Sequence, residues 1–186
     1  MIVNKVEILS KKELRNNAKK VRHNLNLQQI SNDISKQILA SDFFRNAQNI
    51  AIFYPKDIEI NLLSLCKITD KNFYLPKMKD KNLIFAKFNN EQELIKVQYD
   101  ILEPQSQKDE SNKLDLIFLP ALMVDKNGYR LGWGGGFYDR FLEGHANIIK
   151  ICAIPQCQFV ENLPIENHDI PCDVVITENY IIKIKK

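Results

Sequence analysis

Glycine is scarce in this chain, at 6 of 186 residues. With no serine-rich or proline-rich run either, the composition has nothing of a flexible linker or a low-complexity tract. Cysteine is sparse as well: Cys66, Cys152, Cys157 and Cys172 form no C-x-x-C pair, and His23, His145 and His168 are scattered. That spacing argues against a zinc site and points to free thiols in a reducing cytoplasm. No run of about 18 apolar residues is present, so no membrane helix is expected. Met1–Glu7 is short and mixed, so no secretory signal is expected. Neither charge sign dominates. The net charge of +3 permits anionic ligands but is a weak basis for binding nucleic acid.

What is present is ordinary globular material, 45% hydrophobic and 26% charged, of a length that suits one domain spanning 1–186. Ser10-Lys11-Lys12-Glu13 has the form of a capping box. Leu14, Ala18, Val21 and Leu25 then recur at helical spacing. Lys11, Arg15, Lys19 and Arg22 form a basic stripe beside that apolar face, a pattern that usually marks a solvated surface. Leu27, Ile30, Ile34 and Ile38 predict a second helix, and 61–67 a third. NIAIFYP (49–55), FYLP (73–76), LIFAKF (83–88), DLIFLPALMV (115–124), NIIKICAI (147–154) and DVVIT (173–177) read as strands, with Pro120 ending or bending the fourth. Residues 104–113 read as a polar surface loop. Helices alternating with continuous apolar strands predict an α/β layered fold with a mainly parallel sheet. Ligands of such folds sit beyond the carboxyl ends of the strands.

Four of the six glycines fall in one stretch, RLGWGGGFYDRFL (130–142), and a fifth is Gly128. Glycine admits positive φ and lets a ligand approach the main chain. Successive N–H groups before a helix make an anion site, with Arg130 and Arg140 adding charge. The stretch lacks the Lys-Ser/Thr of a P-loop, and position 137 is Phe where a dinucleotide fingerprint has Gly or Ala. A tight turn that merely lets a strand and a helix pack is the plain alternative. Asp139 has two readings too: a carboxylate favoured by the helix dipole, or a magnesium ligand beside a triphosphate.

Taken together, LPALMVDKNGYRLGWGGGFYDRFL (119–142) resembles the signature of the 5-formyltetrahydrofolate cyclo-ligase family. Asp125, Gly128, Arg130, Leu131, Gly132, Gly134, Gly136, Tyr138 and Asp139 fill its fixed positions. Lys11 to Arg15, Glu59, Leu75-Pro76, Glu103-Pro104, and His168-Asp169 with Asp173 to Glu178 match further landmarks, while 78–113 adds little. Gly135 stands where some members carry Lys, which puts weight on backbone N–H groups.

The resemblance implies a three-layer α/β/α fold with a mainly parallel central sheet, of the CoA-transferase-like kind. It implies conversion of 5-formyltetrahydrofolate, with or without a polyglutamate tail, to 5,10-methenyltetrahydrofolate by a monomer, with Mg²⁺ and ATP as co-substrate. ATP would meet Lys11, Lys12, Arg15, Arg130, Leu131, Gly132, Trp133, Gly134, Gly135, Gly136, Phe137 and Tyr138. The folate would meet Tyr54, Glu59, Trp133, Gly134, Gly135, Gly136, Phe137 and Tyr138. Arg130 and Asp139 would act in catalysis, and Asp139 with Asp173 would hold the metal. Rival readings are another nucleotide-dependent enzyme on the same scaffold, or a phosphate- or RNA-binding protein that uses the basic helix.

Overall fold

The architecture was read from a computed structural model that describes residues 9–80, 82–97 and 101–185. Met1–Glu7, expected to carry no secretory signal, lies outside the described residues. The capping box forms: the Ser10 side chain accepts from the Glu13 amide, and the Glu13 carboxylate accepts from the Ser10 amide at 2.9 Å. Helix α1 (Lys11–His23) starts there, α2 (Leu27–Ala40) follows with Asn26 as its cap, and α3 (Asp42–Asn46) is a single turn.

Seven strands build the main sheet. They are β1 (Asn49–Ala51), β2 (Asn72–Lys79), β3 (Asn82–Phe88), β6 (Leu116–Leu119), β9 (Ile149–Ala153), β11 (Val174–Ile176) and β12 (Ile181–Lys183). Their order is β12-β11-β9-β6-β1-β2-β3. The five inner strands run parallel, and the edge strands β3 and β12 are antiparallel to their neighbours. Chain progression goes one way from β1 to β2 and the other way from β6 through β9 to β11. The carboxyl ends of β1 and β6 therefore flank a topological switch point, the place where open α/β sheets bind ligands.

Side chains alternate across this sheet as the two-residue strand period requires. Ile50, Phe73, Leu116, Phe118, Ile151, Val174 and Ile176 join Ile34, Ile38 and Phe44 of α2 and α3 on one face. Ala51, Tyr74, Ile117, Leu119, Cys152 and Val175 join Phe141 and Leu142 on the other face. Those two belong to α4 (Phe137–Glu143). This is the expected three-layer arrangement with a mainly parallel centre.

A second sheet of three strands covers part of the α4 face: β7 (Met123–Asp125), β8 (Arg130–Leu131) and β10 (Phe159–Val160). A small hairpin pairs β4 (Leu94–Lys96) with β5 (Leu102–Pro104). The apolar run 115–124 is thus two strands in two sheets. Pro120 lacks the N–H that a continuing central strand needs, and the chain leaves the main sheet there. The run 49–55 is ladder-paired as a strand only to Ala51, and 61–67 is a 3₁₀ turn over Leu63–Lys67. Residues 104–113 include a short 3₁₀ turn whose Ser111 is buried, with its Oγ accepting from the Phe85 amide at 3.1 Å. Two small landmarks meet at the β2 edge. Glu103 accepts the Met78 amide at 3.1 Å, and the Lys77 ammonium donates to the Pro104 carbonyl at 2.7 Å.

Helix α1 belongs to neither face. Its buried Arg22 and Ala18 bond segments leaving the carboxyl ends of β1, β6 and β9, at Ile58, Ala121 and Gln158. It also departs from the expected polarity. Val21, on the predicted apolar face, is 42% exposed, whereas Arg22 of the basic stripe is 1% exposed. Among the described residues no helix is long and apolar enough to cross a membrane, and all four cysteines are free thiols.

Candidate active site

The β7–β8 hairpin presents the glycine loop, and part of the sequence signature serves to build that hairpin. Asp125 is 1% exposed; its Oδ1 accepts the amides of Asn127 and Tyr129 at 2.9 and 3.0 Å, and its Oδ2 accepts that of Leu163 at 3.2 Å. Gly128 has φ +85°, and a Cβ there would lie 2.7 Å from the Cys172 carbonyl oxygen. Leu131 is core, paired with Met123, and offers a ligand only its backbone.

The loop itself spans Gly132–Gly136, with Trp133, Gly134 and Gly135 exposed. Gly134 has φ +106° and lies on the Arg15 guanidinium. Gly136, φ +64°, is the N-cap of α4. Both positions are strained for any residue with a Cβ. Since α4 has only seven residues, any attraction for an anion here would come from the loop N–H groups rather than a long helix dipole. Phe137 and Arg140 close the loop from behind: the Arg140 guanidinium lies 4.8 Å from the Phe137 ring and donates to the Gly135 carbonyl at 3.3 Å.

Helix α1 brings its cations to this loop. Arg15 Nε donates to the Gly132 carbonyl at 2.8 Å across 117 positions of sequence. The Lys19 ammonium sits 4.9 Å from the Trp133 ring centroid, a cation–π contact. Lys12 is exposed on the same helix. Lys11 instead reaches Asp169 at 2.7 Å and Glu166 at 3.5 Å. Burial works against the Asp169 charge, but the Lys11 contact and the Glu166 amide hold its pKa below the usual carboxylate value. Among the described residues, Glu166, His168 and Asp169 are the one group whose ligand atoms lie close enough, within 4.8 Å, to hold a metal. Lys11 already supplies the positive charge there.

Arg130 and Asp139 form a pair at 2.9 Å, with the arginine side chain only 5% exposed. The other arm of Arg130 donates to the Ile170 carbonyl at 2.8 Å, and the Ile170 amide donates to Asp139 Oδ1 at 3.2 Å. Arg130 is thus engaged through two of its five N–H donors. Among the described residues no hydrogen bond reaches Asp139 Oδ2. A carboxylate oxygen of this kind, completed by waters and phosphate oxygens, is the donor chemistry magnesium takes, so the residues fit that ion. Asp173 lies elsewhere, at the amino end of β11. Its Oδ2 accepts the Lys150 amide at 2.8 Å and pairs with the Lys150 ammonium at 3.0 Å.

Glu59 follows β1 at the switch point. Burial raises its pKa, opposed by the Lys56 amide, the Trp133 indole N–H and the charges of Arg22 and Lys56. The Lys56 amide bond is 2.9 Å. Tyr138 of α4 packs edge-on to Phe85 at 6.4 Å, and burial together with Glu59 pushes its phenol far up. Burial and Glu91 also raise Tyr54. A cavity of about 370 Å³ opens beside Glu59, lined by Gln28, Ser31, Lys56 and Asn61 among others, within the size range of small-molecule sites.

The fold therefore brings Arg15, Lys19, Trp133, Glu59 and Tyr138 to one rim, pairs Arg130 with Asp139, and sends Lys11 and Asp173 to other partners. Sequence reasoning missed Arg22 and Gln158, both buried at the switch point. The one available signal was the seven-residue spacing from Arg15 to Arg22, which puts both on one side of a helix.

Comparison with known proteins gives a consistent result. A family model described as the 5-formyltetrahydrofolate cyclo-ligase family matches residues 7–178. The chain is 34% identical to a 5-formyltetrahydrofolate cyclo-ligase of Haemophilus influenzae over 175 residues, covering 87% of this chain and 94% of the relative. It is 32% identical to that of Escherichia coli over 146 residues, 73% and 80% of the two chains. The solved structure of a 5,10-methenyltetrahydrofolate synthetase from Aquifex aeolicus superposes with a TM-score of 0.85 at 27% identity, covering 96% of this chain and 94% of that one.

Proposed function

The chain belongs to the 5-formyltetrahydrofolate cyclo-ligase family, and on that premise we propose that it closes the ring of 5-formyltetrahydrofolate to 5,10-methenyltetrahydrofolate, with ATP becoming ADP and phosphate. A formamide oxygen is a poor leaving group, so attack by N10 at the formyl carbon stalls until that oxygen is activated. The formyl oxygen attacks the γ-phosphorus and ADP leaves. N10 adds to the resulting phosphorylated iminium carbon and loses its proton. Phosphate then departs with the oxygen, leaving the methenyl bridge.

Such a transfer needs positioning and charge neutralisation rather than a protein nucleophile. Arg15, Lys12 and the loop N–H groups of 132–136 hold the phosphates. Lys11 joins them by releasing Asp169. Arg130 orients Asp139. Magnesium, held by Asp139, would supply charge neutralisation at the phosphate oxygens. Asp173, the other expected ligand, shares its Oδ2 with the Lys150 amide and ammonium. Glu59 and Tyr54 take the pterin, since a half-buried carboxylate that pairs with N–H donors discriminates strongly. Trp133 and Tyr138 form the walls between the two substrates. We place this activity in the cytoplasm, in a monomer.

The observation that carries this reading is the 2.8 Å bond from Arg15 to Gly132, which joins the cationic helix to the anion-binding loop at the switch-point rim. The test is a spectrophotometric assay. Protein, 5-formyltetrahydrofolate, ATP and Mg²⁺ together should give a rise in the absorption band of the methenyl product, and omission of ATP should abolish it. A flat trace with folded protein would overturn the reading.

A further inference from the structure

Arg22 is the largest fully buried side chain of the described residues, and the mechanism above does not use it. It lies in the crevice between the carboxyl ends of β1 and β6, two helical turns beyond Arg15. Nε donates to Gln158 Oε1 at 2.7 Å, Nη1 to the Ile58 carbonyl at 2.9 Å, and Nη2 to the carbonyls of Ala121 at 2.5 Å and Leu122 at 3.2 Å. Gln158 in turn donates to the Ala18 carbonyl at 2.9 Å. One side chain therefore fastens α1 to the Glu59 loop, to the link that leads into the glycine-loop hairpin, and to the turn after β9.

All four acceptors are neutral. A buried cation held only by carbonyls and an amide is an expensive way to join elements, since apolar packing of the same volume often serves stability better. Burial lowers the Arg22 pKa to about 10, with Glu59 and then Cys157 working against that shift. What apolar packing would not supply is a directed grip on the residue before Glu59 and a fixed positive charge whose field favours the charged form of its carboxylate. The groups facing Glu59 are Arg22 from α1, Lys56 from its own loop, Trp133 from the glycine loop and Tyr138 from α4. Of the two cations, Lys56 is exposed to solvent and Arg22 is not, so the Arg22 charge is the less screened.

We infer that Arg22 is a positioning residue for the reaction: its fork holds the Glu59 loop against the link into the glycine-loop hairpin, so that Glu59 meets the pterin donors. The inference rests on the reading of Glu59 as the pterin contact. Steady-state kinetics of the full chain, with both substrates varied across the pH range of activity, tests it. Arg22→Met should raise KM for 5-formyltetrahydrofolate about tenfold, the scale of one charge-assisted contact. KM for ATP should change by less than about twofold, below the scale of one hydrogen bond. The acidic limb of kcat/KM for the folate should move to higher pH, because Glu59 loses a neighbouring cation. Arg22→Lys keeps the charge without the fork, so it should restore the limb but leave KM raised. Equal changes in both KM values with an unmoved limb would mean a merely structural tie and overturn the inference.

If Arg22→Met fails to fold, Gln158→Met removes one acceptor and leaves the cation. It should raise the folate KM about threefold, the scale of one hydrogen bond, and an unchanged value overturns the inference. Glu59→Gln separates the two layers. If it leaves the folate KM unaltered, the reading of Glu59 falls and takes the inference with it. If it raises that KM while Arg22→Met does not, only the role of Arg22 falls.

Discussion

The two ends of the parallel sheet set their carboxylates in different surroundings. At the amino ends, acidic side chains satisfy backbone donors that the ladder leaves open. Asp115 Oδ2 accepts the amides of Gln48 at 2.9 Å and Asn49 at 2.7 Å, and Asp173 Oδ2 accepts the Lys150 amide at 2.8 Å. At the carboxyl ends, Glu59 is drawn into a desolvated crevice beside a cavity, and around the glycine loop Asp139 keeps one oxygen clear of hydrogen bonds from the described residues. The difference follows from strand direction. The amino end of a parallel strand presents N–H groups, which bind a carboxylate and hold it, whereas the carboxyl end presents C=O groups and the loops that ligands enter. Glu59 and Asp139 each accept a backbone amide as well; what separates them from Asp115 and Asp173 is that they lie on the side of the sheet that ligands enter.

The contrast is most directly broken at Asp139. Asp139→Asn keeps an Oδ1 acceptor for Arg130 and the Ile170 amide but removes the charge. Turnover should fall about a hundredfold, the usual scale for losing one preorganised electrostatic group, with circular dichroism unchanged. Full activity would remove Asp139 from the metal site. Next in size is Arg15→Met. It should raise KM for ATP about tenfold, as loss of a charge-assisted contact does, and leave the folate KM nearly unaltered. The reverse pattern would move Arg15 to the other substrate.

Asp173→Asn sharpens the comparison from the amino end. It leaves the Lys150 ammonium, whose side chain is 8% exposed, without its carboxylate. The thermal midpoint should drop by several degrees, as expected for losing about 1.5–3 kcal/mol in a chain of this size, while the Mg²⁺ concentration for half-maximal rate stays the same. A raised Mg²⁺ requirement would restore Asp173 to the metal set and erase the difference between the ends.

The smallest effect concerns pH and stability. The folded-state pKa of Glu59 is raised, chiefly by burial. The folded state thus holds that proton more tightly than the unfolded state does. The contribution to stability is present below the unfolded pKa and is lost as pH rises through the folded one. Glu59→Gln does not titrate. Its thermal midpoint should gain on the parent protein as pH climbs from below the usual glutamate value to neutrality, and a gap independent of pH would contradict this.

Much of this was legible in the residues, unevenly. The capping box at Ser10, the α2 face and the continuous apolar strands are local patterns; the first two formed where read, and the strands formed at the runs read, though 49–55 is ladder-paired only over Asn49–Ala51 and 115–124 divides into two strands. The stop at Pro120 was visible, but its consequence, transfer of 123–125 to a second sheet, depends on where that sheet lies. The antiparallel edge strand β12 escaped notice although Ile182-Lys183-Ile184-Lys185 alternates and Asn179 precedes the run; its three ladder-paired residues are too short a stretch for a two-residue period to stand out. The basic stripe on α1 was the largest misreading. Periodicity shows that Lys11, Arg15, Lys19 and Arg22 share a side, and charge normally means solvent. It has no means of seeing that carbonyls of Ile58, Ala121 and Leu122 converge on that side from segments up to 100 positions away.

The glycine-loop signature and the spacing of its aromatic and acidic neighbours were enough to identify the family, because backbone freedom and a first-turn carboxylate are properties of contiguous residues. Which cations meet that loop, which of two aspartates is locked to a lysine, and where Glu59 loses its water were decided by the tertiary structure alone. Desolvation and charge pairing depend on distance through space, and only the packed chain sets those distances.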